Sequence, residues 1–209
     1  NAPNIIPTHE DHGGAFDYGA RYSDWMLLST SSHLYLLQVG VGLYRSNNGE
    51  EWSFISPVGS PLAHGLAVVE GGASDTVYVA LNAFNGVYEL IRSDDGGDTW
   101  LRNVGQFEDK PLWLAATSEK LAVLTDEAIH FWENEQFVTR SGPTTSEAFT
   151  GVWLDDGSLL VGHLYGISRS SDNGQSYVAV SENIRDTDQS SLGQIRGCPG
   201  LIFAGTQCE

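Results

Sequence analysis

One eight-residue turn returns along this chain and restricts its fold more than any other feature. Ser93-Asp94-Asp95-Gly96-Gly97-Asp98-Thr99-Trp100 fits the frame S-x-D-x-G-x-T-W. Ser170-Ser171-Asp172-Asn173-Gly174-Gln175-Ser176-Tyr177 fits it with Tyr at the last position. The stretch from Arg45 to Trp52 reads as a worn copy, with Arg45 at the Ser position, Asn47 at the Asp position, then Gly49 and Trp52. Ser and Asp side chains bond to turn backbone two residues on. Gly97 and Gly174 supply a positive φ that other residues resist. Trp100 and Tyr177 open the next strand with a large apolar face. These residues are therefore expected to be the scaffolding of a strand–turn–strand unit.

Aligning the chain on this turn exposes a longer repeat. The runs His33–Leu37, Thr76–Ala80, Lys120–Leu124, Ser158–Val161 and Leu201–Ala204 are each preceded by another short apolar segment. The first four are followed by a G-L-Y-R-S type run at Gly42, Gly86, Ala128 and Gly166. The closing aromatics Trp52, Trp100, Phe137 and Tyr177 recur at roughly 40-residue intervals, the period of a four-stranded blade. No long segment carries a 3.6-residue period, so almost no helix is expected. In the third copy the turn has shrunk to Glu133-Asn134-Glu135-Gln136.

The turn is an Asp box, and the chain resembles the Asp-box (BNR-repeat) β-propeller family. The resemblance covers residues 25–209. It implies an all-β propeller of four-stranded antiparallel blades, four complete and one begun. The blades are expected at 25–58, 62–106, 111–141, 149–181 and 192–209, after an extended segment 1–24. In the fifth copy the third strand would begin just beyond Glu209. An unfinished blade exposes raw strand edge. We expect it to be completed by segment 1–24, by further chain of a longer propeller, by a partner chain or by self-association.

Members of this superfamily include sialidases, other glycosidases, lectin-like modules, sorting receptors and photosystem assembly factors, and fold alone does not choose among them. The resemblance to sialidases would imply three substrate-binding arginines, a Tyr–Glu nucleophile pair, an Asp acid/base and an R-I-P motif. Ile5-Ile6-Pro7 is the only echo of that motif, without its arginine. Arg45, Arg92 and Arg169 recur with the turn and belong to the repeat, and Arg21, Arg102, Arg140, Arg185 and Arg196 share no position. The expectation is a non-catalytic binding or scaffold module for a protein or a glycan. The alternative is a glycoside hydrolase of sialidase or xyloglucanase type, which would work with two acidic residues.

Charge narrows the partners. Ten basic residues against 27 acidic ones leave a formal charge of −17. Such a surface repels nucleic-acid phosphates and anionic lipid heads. No stretch approaches the apolar length of a membrane-spanning helix, so no membrane insertion is expected. The N-terminal residues lack the basic start and apolar run of a signal peptide. A mature extracellular or periplasmic protein is expected.

Loops between second and third strands open at one end of the blades, where propeller ligands sit. Gln38, Asn82, Phe84, Asn85, Asp126, Glu127, His163, Tyr165 and Gln207 make a polar and aromatic set suited to stacking and hydrogen bonding. Asp126, Glu127 and His163 have acid–base chemistry in principle. His9-Glu10-Asp11-His12 is a cluster of transition-metal donor types, with His9 and His12 as its imidazoles. The acidic turn Asp94, Asp95, Asp98 has calcium-type donors but neither the spacing nor the glutamate of an EF-hand. No cofactor is otherwise expected. Cys198 and Cys208 flank an extended strand, whose span far exceeds the ~6 Å Cα separation of a disulfide, so they are not expected to pair with each other.

Overall fold

The computed structural model describes residues 25–39, 41–57, 63–71, 73–83, 86–143, 148–163, 166–180, 192–198 and 201–206, with the backbone alone at 25, 148–149, 192–198 and 201–206. All regular structure among them is β. The first sheet holds β1 (Trp25–Ser29), β2 (Leu34–Gln38), β3 (Gly42–Ser46) and β4 (Ser53–Phe54). The second holds β5 (Ala63–Val69), β6 (Thr76–Asn82), β7 (Tyr88–Ser93) and β8 (Leu101–Phe107). The third holds β9 (Pro111–Ala116), β10 (Leu121–Thr125), β11 (Ile129–Glu133) and β12 (Gln136–Arg140). The fourth holds β13 (Ala148–Trp153), β14 (Leu159–His163), β15 (Gly166–Ser170) and β16 (Val178–Ala179). A hairpin of β17 (Leu192–Cys198) and β18 (Leu201–Thr206) follows. Each sheet is an antiparallel meander in chain order, and we call the four sheets blades 1 to 4. Segment 1–24, with His9 and His12, lies outside the described residues, as do Phe84, Asn85, Tyr165, Gln207 and Cys208.

Alternation along the strands gives each blade two faces. In blade 1 the residues Leu27, Leu36, Tyr44 and Phe54 sit opposite one another across the four strands and share one face. Their neighbours Met26, Tyr35, Leu37 and Leu43 occupy the other face and are buried. They form one core cluster with Leu66, Val79 and Ile91, a single cross-strand row of blade 2. The opposite face of blade 2 (Ala67, Ala80, Leu90, Phe107) packs on Leu114, Leu121 and Val123 of blade 3. Face-to-face packing of successive blades is thus what buries the alternating apolar residues.

The row Leu27–Leu36–Tyr44–Phe54 corresponds by register to the fully buried row Leu66–Val79–Ile91. Yet Leu27 is 54% and Phe54 58% exposed. Among the described residues the outward face of blade 1 is thus exposed at Leu27 and Phe54, with Tyr44 buried between them.

Blades 3 and 4 are also pinned at their inner strands. The Trp113 indole N–H donates to the Gly151 carbonyl at 2.8 Å, and Trp153 donates back to Ala115 at 3.1 Å. Both bonds are buried, which raises the cost of breaking them. In blade 3 the shortened turn is closed by Asn134 and Glu135, both in the left-handed region (φ 49° and 64°). Two consecutive left-handed residues are what a tight hairpin turn of the I′ kind needs.

Candidate functional site

The repeated S-x-D-x-G turns lie at the strand three–strand four ends of blades 2 and 4, with the shorter copy at the same end of blade 1. The Ser93 hydroxyl accepts the Gly97 N–H at 2.7 Å and donates to Asp95 at 2.7 Å. The Asp95 carboxylate accepts the Thr99 N–H at 2.8 Å and the Thr99 hydroxyl at 2.6 Å. Ser170, Asp172, Gly174 and Ser176 repeat these contacts: 2.7 Å from Gly174 N–H to Ser170, then 2.9 and 2.6 Å from Ser176 to Asp172. The bonds from Thr99 hold Asp95 down at about 2, and those from Ser176 do the same for Asp172. Both carboxylate oxygens are occupied by protein donors, so these residues are scaffolding. Among the described residues no group of three or more His, Cys, Asp or Glu side chains is arranged to hold a metal ion.

The first turn is one residue shorter. Its bonds run from Gly49 N–H to Ser46 at 2.8 Å, and from Glu50 and Glu51 N–H to Asn48 at 2.9 and 3.0 Å. Ser46 and Asn48 therefore stand where Ser93 and Asp95 stand, shifted from the Arg45–Asn47 frame. One left-handed residue, Gly49, replaces the pairs Gly96–Gly97 and Asn173–Gly174. The missing residue is one that the longer turns use to reverse the chain.

Each long box also anchors the preceding blade. Arg45 of blade 1 donates to the Gly96 carbonyl at 2.8 Å and to Asp98 at 2.9 Å. Arg140 of blade 3 donates to the Asn173 carbonyl at 2.9 Å, while its other contacts hold Glu133. Arg92 and Arg169 stay within their own blades, on Asp94 and on Ser158 and Asp156. Glycine is required at the box because the preceding blade fills the space. A Cβ on Gly97 would meet Ile55 at 2.4 Å, and one on Gly174 would meet Phe131 at 2.4 Å.

A buried carboxylate, Asp75, completes this end. One of its oxygens accepts from Thr30, Tyr35 and His33 of blade 1, each at 2.9 Å. Burial pushes Asp75 up, but the bonds from His33, Thr30 and Tyr35 outweigh it and hold the carboxyl below its ordinary value. Asp75 is a seam residue that lay unmarked in the sequence, because a lone Asp before a strand reads as turn chemistry.

The opposite end carries the strand two–strand three loops. Gln38 and His163 close β2 and β14 and are buried, at 3% and 4% exposure. The Gln38 side-chain oxygen has no hydrogen-bond partner. His163 Nε2 is 2.9 Å from the Ser168 hydroxyl, and burial lowers its proton affinity. Asn82 is half-buried at the end of β6, Asp126 is half-buried and Glu127 is exposed. Asp126 accepts the Lys110 N–H at 3.1 Å and its own N–H donates to the Lys110 carbonyl at 3.2 Å. The Asp126 loop therefore meets the incoming connection of its own blade, with the Asp126 carboxyl as the acceptor. Gln38 and His163 sit beneath this end of their blades rather than on its open surface.

One further group at this end escaped sequence reading. His64 lies where β5 loses register between Ala63 and Gly65, a β-bulge at the top of an innermost strand. Bulges re-aim side chains. The His64 ring turns edge-on to Tyr88 at 5.5 Å, and both its nitrogens are buried without partners. Burial, then the nearby Lys110 cation, lower it to about 4. The same register shift occurs in β9, β13 and β17, but no residue pattern in the sequence signals it.

No family profile and no curated protein matches the chain. Solved structures do. YCF48 bound to D1 peptide aligns at a TM-score of 0.52 and 14% identity, over 88% of this chain and 79% of that one. The extracellular domain of the hybrid two component system BT4673 from B. thetaiotaomicron aligns at 0.62 and 12%, over 90% of this chain and 26% of that one. The Bacteroides ovatus xyloglucan PUL GH43B aligns at 0.50 and 13%, over 78% of this chain and 41% of that one. At these identities the likeness speaks to fold, and the chain spans well under half the length of the latter two. With four antiparallel four-stranded sheets and propeller neighbours, the chain is an all-β protein built as a blade-based β-propeller.

Proposed function

We propose that this propeller is a non-catalytic binding or scaffold module, secreted or periplasmic, that takes a protein or a glycan on its strand two–strand three end. The observation that carries the reading is the state of its acids. Among the described residues, every carboxyl with a displaced proton affinity is displaced downward. These are Asp75, Glu89, Asp95, Glu133, Asp156 and Asp172, and each is held as an anion by protein donors. A glycosidase needs one carboxyl raised so that it can donate a proton to the leaving group. A chain that commits its acids to holding turns and seams suits recognition better than hydrolysis.

The scaffold part of the reading draws on the exposed ends of the outward row of blade 1. Leu27 and Phe54 offer apolar area in a row whose counterpart in the next blade is wholly buried. A peptide-bound neighbour of this fold and an extracellular one give the protein ligand and the location their support.

The test is a parallel screen of the purified chain on a peptide array and a glycan array, with a panel of aryl glycosides assayed for hydrolysis. Selective binding without turnover is expected. Turnover of any glycoside, lost on replacing one carboxylate, would replace this reading with the hydrolase.

A further inference from the structure

The seam between blades 2 and 3 holds two histidines that no structural or recognition role above uses. His64 lies on the face of blade 2 that carries Tyr88 and Phe107. His130, on β11, faces it from blade 3, with its ring 4.7 Å from the Phe107 ring. His130 Nδ1 is 2.9 Å from the Thr139 hydroxyl, while its Nε2 is buried without a partner. Three ring nitrogens are thus sealed into one seam with nothing to bond. A buried polar group left unpaired costs stability, and here the cost is concentrated at a single blade junction.

The charged groups around the two rings are adjacent in sequence. The charge closest in effect to His64 is the Lys110 ammonium, and for His130 it is the Asp109 carboxylate. Both belong to the connection that carries the chain from blade 2 into blade 3. The titratable neighbour of His64 on its own blade is Tyr88. A proton on His64 would stand against Lys110, a like charge. A proton on His130 would draw Asp109. The two responses pull neighbouring residues of one connection in opposite senses. That connection is in turn tied to Asp126 through both of the Lys110 backbone bonds.

We propose that the seam between blades 2 and 3 is an acid-sensitive hinge: uptake of protons by His64 and His130 opens the seam at residues 108–110 and releases the Asp126 loop. Burial disfavours the charged form of both rings, so the closed seam persists at neutral pH and yields only as the medium becomes clearly acidic. The inference stands whatever ligand the loops take.

The test is amide hydrogen exchange on the intact chain between pH 7 and pH 4.5, corrected for intrinsic rate. The Asp126 amide reports the hinge, and the Val180 amide, bonded to Ile167 within blade 4, reports a blade outside the seam. Protection at Asp126 is expected to fall at least tenfold further than protection at Val180. In His64→Gln/His130→Gln, whose side chains take up no proton, protection at Asp126 should stay flat. Should that variant not fold, the ring NMR shifts of the wild-type histidines decide, and both should titrate together with the loss of protection. Unchanged protection in wild type, an equal loss at Val180, a drop that survives in the double variant, or ring titration uncoupled from exchange would each overturn the hinge.

Discussion

The Arg45 guanidinium reaches out of blade 1 to the Gly96 carbonyl in the next blade's strand three–strand four turn at 2.8 Å. Arg140 makes the same bond to Asn173 two blades on. The box is therefore a clasp between blades as much as a hairpin turn. Replacing Arg45 by Met keeps the apolar stem and removes the donors. We expect a loss of about 1–2 kcal/mol in urea unfolding, the worth of a charge-assisted bond. Arg92→Met, on its own exposed Asp94, should cost well under 1 kcal/mol by the same measurement.

The box carboxylate organises its turn through three donors. Asp95→Ala should destabilise the chain by about 2 kcal/mol, since it strands the Thr99 N–H and both hydroxyl partners. Asp95→Asn keeps one acceptor and should cost less. Chemical denaturation of the two variants side by side checks the order.

Gly174 adopts a φ of +84°, and Phe131 of the preceding blade lies where its Cβ would be. Gly174→Ala combines backbone strain with a clash and should cost at least about 2 kcal/mol. A melting curve reads the loss directly. Gly86 has a similar φ with open space around it, so Gly86→Ala should cost only the backbone part, about 1 kcal/mol.

Acid should act in two windows. His64 binds its proton less readily when folded, so the unfolded chain takes up the proton first. The corresponding stability is present above about pH 6.5 and lost as pH falls toward about 4. Asp95 and Asp172 are depressed to about 2. Their contribution is complete above about pH 4 and lost as pH falls through about 2. Urea midpoints measured from pH 7 to pH 2.5 should decline in these two steps. Asp95→Asn should shrink the lower step, to which Asp172 still contributes, and leave the upper one.

The fold was legible because the box repeats and because each blade's strands alternate. The spacing of Trp100 and Tyr177 carries the register of the blades. Which face of a blade meets which neighbour was less accessible, since Leu27 and Leu66 are identical in type and pattern yet differ wholly in burial. Asn48 was masked by Asn47 beside it: a one-residue shortening cannot be placed from two equivalent side chains. Asp75 and His64 were invisible for a different reason. Their roles depend on partners in another blade or on a bulge, and neither leaves a local mark. The strand two–strand three set was read by topology alone, so Gln38 and His163 appeared as loop residues although they lie buried beneath it.

The central claim is that ligand is taken at the strand two–strand three end. The most direct measurement is an NMR shift map of the chain with the strongest hit from the peptide or glycan array. Perturbations should cluster at Asn82, Asp126 and Glu127 and vanish in an Asn82→Ala/Asp126→Ala variant that remains folded. Perturbations clustered instead on the box residues Asp94, Asp98 and Ser176, with binding intact in that double variant, would contradict the account.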